Sequence, residues 1–132
     1  VAPVRAAADT LRRRQARFRR ELGAGEATLS LACDGEEPVG FAIVRVRDGE
    51  ATFETGEVVA ELESMAVAPH RRGEGVGSAL MRHVHERLAR EGVGFMSLTV
   101  LAGNEEAAAF YRRFGMAATH ARMLGPVDRG GA

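Results

Sequence analysis

The chain's 132 residues fit one domain with a single core, and a hydrophobic content of 45% marks it as globular rather than disordered. Eighteen acidic residues balance eighteen basic ones, so attraction to nucleic acid or to an anionic membrane surface is not expected. Every basic residue is arginine, which excludes a Gly-Lys-Ser/Thr phosphate loop and any Schiff-base lysine.

In chain order, Val4 to Leu22 reads as a helix, with Ala7, Leu11, Phe18 and Leu22 spread among arginines that read as a solvated face. Gly23 and Gly25 close it. Glu26–Asp34 and Pro38–Arg47 form a strand pair joined by the turn at Asp34-Gly35, and Cys33 reads as a small core residue. A lone cysteine makes neither an intramolecular disulfide nor a zinc cluster. Glu57 to Ala68 is a long strand interrupted by Glu61 and Glu63. Two residues apart, these carboxylates share one face, which the same alternation extends to Met65 and Val67.

Gly75 to Glu91 is a helix with Val76, Leu80, Val84 and Leu88 on one buried stripe, stopped by Gly92. Phe95–Leu101 reads as a buried strand, Asn104–Phe114 as a short helix, Met116–Leu124 as a last strand, and residues 125–132 as a frayed tail. Residues 1–132 thus form a single mixed α/β domain, a largely antiparallel twisted sheet flanked by helices. The strand–helix–strand unit from Glu57 to Leu101 calls for a parallel or splayed pair. No stretch approaches a membrane span and no signal-peptide pattern is present, so the expected location is cytoplasmic.

The junction of strand and helix, Arg72-Gly73-Glu74-Gly75-Val76-Gly77-Ser78, carries the functional signal. Its glycines let backbone approach a ligand closely, and the helix start offers unpaired N–H groups to an anion such as a pyrophosphate. A dinucleotide-binding oxidoreductase fits poorly, because the acidic residue expected about 20 positions on falls at a helix end, Glu91. His83 and His85, two apart on a helix, point in different directions, so no metal site is expected. With His70 they read as surface residues; His120 has no assigned place.

This loop is followed at the right distance by Asn104-Glu-Glu-Ala-Ala-Ala-Phe-Tyr111-Arg-Arg-Phe-Gly115-Met116. Together they resemble the GNAT superfamily of N-acetyltransferases, with Met116 in place of the usual Phe. The resemblance implies acetyl-coenzyme A as co-substrate, its diphosphate held by backbone N–H groups of Gly73 through Ser78 after Arg72. Glu74 departs from the ideal loop, so its side chain must face solvent. The pantetheine arm would lie along Met65, Ala66 and Val67 and touch Asn104, with one strand N–H polarising the thioester carbonyl.

Tyr111 matches the tyrosine that protonates the departing thiolate. Glu63, slightly ahead of Glu61 because it lies nearer the reaction centre, is the expected base for the amine; the further acid of many relatives is replaced here by Leu98-Thr99-Val100. Glu54, Glu57, Glu61 and Glu63 point to a cationic acceptor, a small or protein-borne amine. Relatives begin with a strand ahead of the first helix, so the first strand is expected to be missing here, leaving an open sheet edge. The expected chemistry is direct attack by a primary amine in a ternary complex, and the alternative is a catalytically silent acyl-coenzyme A-binding module. The oligomeric state stays open between monomer and homodimer.

Overall fold

The computed structural model describes residues 7–127, with side chains from Arg13 onward. The predicted start of the first helix at Val4 and the end of the tail lie outside these residues. Helix α1 spans Ala7–Gly23 and is closed by Gly25 at φ +75°. Strands β1 (Thr28–Asp34) and β2 (Glu37–Asp48) form a hairpin over a two-residue turn whose Gly35 takes φ +62°. Strand β3 (Val58–Val67) returns antiparallel to β2. A 3-10 turn at Pro69–Arg71 leads to helix α2 (Val76–Arg90), short strand β4 (Met96–Ser97) and helix α3 (Glu105–Arg112).

The sheet order is β1-β2-β3-β4, antiparallel except for the parallel β3–β4 pair that α2 connects. The sheet is therefore mixed and flanked by helices, as the alternation of elements predicts. Helix α2 ends in a Schellman arrangement: Gly92 at φ +78° lets its own N–H reach Ala89 O while Val93 N–H reaches Leu88 O. Among the described residues no helix is long and apolar enough to cross a membrane.

The core forms where α2 lies on one sheet face. Ala42 and Val44 of β2, Ala60 and Leu62 of β3, and Leu80, Met81, Val84 and Leu88 of α2 are all buried together. Fully burying a side chain such as Met81 or Val84 contributes roughly 1.5–3 kcal/mol, so this layer dominates the fold's stability. Gly40 permits the close approach. A Cβ there would sit 3.0 Å from both Ala66 O and Val76 Cγ1. At alternate positions Ile43 and Val59 are buried on the opposite face, which α1 crosses with its buried Phe18.

Several expectations change. The pairing of β2 with β3 slips between Ile43↔Ser64 and Val44↔Leu62, so Glu63 is an extra residue in β3. Glu61, and Glu63 at the bulge itself, lie on the face opposite Ala60 and Leu62, where Glu63 meets Arg17 of α1. Beyond the bulge Met65 packs with the α2-side core, so the carboxylates do not share its face. The strand predicted over Phe95–Leu101 pairs only at Met96–Ser97, because the chain leaves β3 after Glu61↔Ser97. Residues 116–124 form no ladder; Met123 is 92% exposed and finds no strand to pack beside. Cys33 is exposed rather than core, on the same open face of β1 as Leu29 and Leu31. Strand β1 has only β2 beside it among the described residues, which leaves its outer edge open.

Candidate active site

Between β3 and α2 the chain turns through Gly73 at φ +80° and Gly75 at φ +86°, a conformation costly for any residue with a Cβ. The space a Cβ would fill at either position is open. The first bond of α2 runs from Ala79 N–H to Gly75 O, 3.0 Å. Among the described residues no backbone carbonyl accepts from the N–H groups of Gly73 through Ser78. The first turn of α2 carries no acidic residue, so these donors and the positive end of the helix dipole are available to an anion.

The carboxylate in the loop is neutralised. Arg71 Nε donates to both oxygens of Glu74, at 3.2 and 3.1 Å, and Arg71 Nη1 donates to Asp34 Oδ2 at 3.0 Å. Glu74 is thereby held on the solvent side, as its position in the loop requires. Arg72 is exposed, and its guanidinium pairs with no carboxylate among the described residues. Val76 packs against the core, and Gly77 faces α3, where an added Cβ would lie 3.4 Å from Phe110 Cζ.

Beyond Leu62 only β2 flanks β3 in the ladder, because β4 pairs with Ala60 and Glu61 alone. Ala68 N–H donates to Val39 O at 2.8 Å. By the alternation of an antiparallel ladder, Ala66 also turns its peptide groups to β2, while Met65 and Val67 turn theirs to the open edge. A slot with unpaired strand amides thus adjoins the glycine loop.

The two carboxylates of β3 meet different partners. Glu63 has only 7% of its side chain exposed, with Arg17 Nη2 of α1 3.1 Å from Oε2 and Arg45 Nη2 of β2 3.1 Å from Oε1. The second contact is an ion pair without hydrogen-bond alignment. Burial, followed by the charge of Glu61, pushes the Glu63 carboxyl above the usual carboxylate range despite both guanidinium groups. Glu21 of α1 joins the cluster at 3.8 Å from Arg45. Glu61 is 28% exposed at its side chain, and only its Oε2 is held, by Arg47 Nε at 2.8 Å. Arg47 Nη2 also donates to Glu50 Oε1 at 3.0 Å and to Ser97 Oγ at 3.2 Å.

On α3, Asn104 Oδ1 accepts from Ala107 N–H at 3.2 Å, the capping bond its position predicts. Phe110 and Phe114 pack with their rings tilted and centroids 5.2 Å apart. Tyr111 packs beside the core together with Met65, and burial raises its phenol above the usual range. Among the described residues its hydroxyl has no hydrogen-bond partner. His70 meets Glu37 at 3.2 Å, His120 meets the Phe53 ring at 5.4 Å, and His83 and His85 are exposed. Among the described residues no three His, Cys, Asp or Glu side chains could hold a metal.

The sequence reading missed Arg17, Arg45, Arg47 and Ser97. A signal for two of them was present: Arg45-Val-Arg47 alternates on β2 as Glu61-Leu-Glu63 does on β3, which puts opposite charges on one face.

The mixed sheet thus parts between β3 and β4, and the loop amides without backbone partners lie where β3 runs into α2. The chain belongs to the acetyltransferase (GNAT) family, whose profile matches residues 4–116. Over 56 residues it is 41% identical to streptothricin acetyltransferase of Streptomyces lavendulae, a match covering 42% of this chain and 30% of that protein. A transcriptional regulator of Bacillus halodurans C-125 is similar in structure at TM-score 0.69 and 28% identity, covering 83% of this chain and 72% of that one. Aminoglycoside 6′-N-acetyltransferase of Acinetobacter haemolyticus shares the fold at TM-score 0.72 and 17% identity, covering 96% and 84%.

Proposed function

We propose that the protein is an acetyl-coenzyme A-dependent N-acetyltransferase in which a primary amine attacks directly within a ternary complex. The observation that carries this reading is the run of unbonded N–H groups from Gly73 through Ser78 beside the open edge of β3. Charge-assisted hydrogen bonds contribute about 1.5–3 kcal/mol each, so several would hold a diphosphate without a lysine. The Met65 and Val67 amides would bind the pantetheine arm, and one of them would donate to the thioester oxygen as charge grows there. Asn104 and Tyr111 would close the other side of the slot. When bound, acetyl-coenzyme A supplies an activated acetyl group on a thiol leaving group.

The amine must be neutral to attack. Presenting a lysine-like amine of pKa ~10.4 in neutral form at pH 7 costs about 4.6 kcal/mol, and an α-amine of pKa ~8 about 1.4. Of the two expected bases we place Glu61 first, because among the described residues its Oε1 is outside any ion pair and its side chain reaches solvent, whereas Glu63 is enclosed by Arg17 and Arg45. Glu61 Oε1 would take the amine proton, directly or through one water, and the Tyr111 hydroxyl would give its proton to the departing sulfur. Glu54 and Glu57 are exposed, which supports a cationic acceptor, either a small molecule or a protein amine.

The test is calorimetric titration with acetyl-coenzyme A, followed by thiol release across a panel of primary amines. Saturable binding with amine-dependent release is the expected result. Binding with no release from any amine would leave an acyl-coenzyme A-binding module instead.

A further inference from the structure

Arg47 joins three strands and a loop at the point where the sheet opens. From β2 its Nε holds Glu61 Oε2 on β3 at 2.8 Å, while its Nη2 reaches Ser97 Oγ on β4 at 3.2 Å and Glu50 Oε1 at 3.0 Å. Ser97 is the last β4 residue laddered to β3, and its partner there is Glu61. One planar guanidinium therefore fixes both the carboxylate and the strand pair beside it.

We infer that Arg47 is a positioning residue: by bonding Glu61 Oε2 and Ser97 Oγ from one guanidinium, it fixes the carboxylate where β3 and β4 part and leaves Oε1 for the amine. The inference rests on Glu61 acting as base in the reading above. The lysine-free composition matters here, because only arginine supplies several donors in one rigid plane. Two donors share the neighbouring strands, so Glu61 is held in one rotamer, with its other oxygen left over for a proton. The charged groups around Glu61 are Arg45 and Arg47 of β2, Glu63 of β3 and, through Arg47, Glu50. Behind Glu63 stand Arg17 and Glu21 of α1. Arg45 and Arg17 pair with Glu63, and among the described residues Arg47 is the cation bonded to Glu61.

The experiment compares the full chain with Arg47→Met and Arg47→Lys, reading kcat, the amine KM and the affinity for coenzyme A alongside the melting temperature. Arg47→Met keeps the apolar stem and removes the donors to Glu61 and Ser97 together. At pH 7 its kcat should fall about tenfold, while the affinity for coenzyme A stays within about twofold. Arg47→Lys should restore only part of kcat, since an ammonium cannot bridge Glu61 and Ser97 in one plane. A lowered melting temperature with kcat and KM at the wild-type values would mark a purely structural role, and that result overturns the inference. A wild-type protein inert toward every amine would instead sink the enzymatic reading, and this inference with it.

Discussion

Glu61 keeps Oε1 outside its pair with Arg47, whereas both oxygens of Glu63 lie 3.1 Å from a guanidinium. The difference comes from depth: Glu63 sits under α1, where removal from water outweighs the attraction of Arg17 and Arg45 and raises its carboxyl. The folded protein therefore holds the Glu63 proton more tightly than the unfolded chain does. Its contribution to stability is full below the ordinary value of 4.5 and declines as pH rises through the higher folded value. Glu63→Gln should accordingly gain on the wild type in melting temperature as pH goes from 4.5 to neutral; parallel curves would contradict this. Tyr111→Phe removes only a hydroxyl that has no hydrogen-bond partner among the described residues, so the fold should persist. Turnover should fall roughly tenfold to a hundredfold at unchanged coenzyme affinity, and wild-type turnover would make Tyr111 a packing residue alone. At this scale the identity of the acidic pair was readable from alternation, but its partners were not. Arg17 lies 46 positions from Glu63 in the chain, and no local pattern connects them.

At the scale of elements, one inserted residue decides what β3 presents. The bulge leaves Glu63 facing α1 and turns Met65 and Val67 to the α2 side, so a single strand carries a buried charge cluster and, further on, an open edge beside the glycine loop. Strict period-two reading places all four side chains on one face, and nothing in Leu62-Glu63-Ser64 announces the break. Helix α2 was legible to within a residue at each end, since its four-residue stripe and Gly92 stop are local features, although fully buried Met81 lies outside that stripe. Strand β4 was not, because its length depends on where β3 and β4 diverge rather than on the apolar run Phe95–Leu101. The seat of α2 on β2 depends on Gly40. Gly40→Ala should destabilise the protein by about 1–3 kcal/mol in denaturant unfolding, because Ala66 O, a backbone atom, stands 3.0 Å from the added carbon. Unchanged stability would mean that α2 can lift from the sheet at little cost.

For the molecule as a whole, one sheet face carries the α2 core and the other carries α1 through Phe18 and the Arg17–Glu63 and Arg45–Glu21 contacts. The slot lies where the third strand, α2 and α3 converge, so an occupant bridging them should stabilise the native state. At a ligand concentration of 100 times Kd the gain is about 2.7 kcal/mol. The order of elements made this convergence legible, since a strand, a glycine loop and a helix in sequence must meet at one sheet end. The placement of residues 116–127 was less so, because they make no ladder that a strand pattern describes. The most direct measurement is an amide NMR titration of the nitrogen-labelled protein with coenzyme A. The account predicts that the largest shifts fall on Gly73 through Ser78, with Met65 and Val67 next and Ala66 smaller. Shifts concentrated elsewhere, with the loop amides unmoved at saturation, would contradict it.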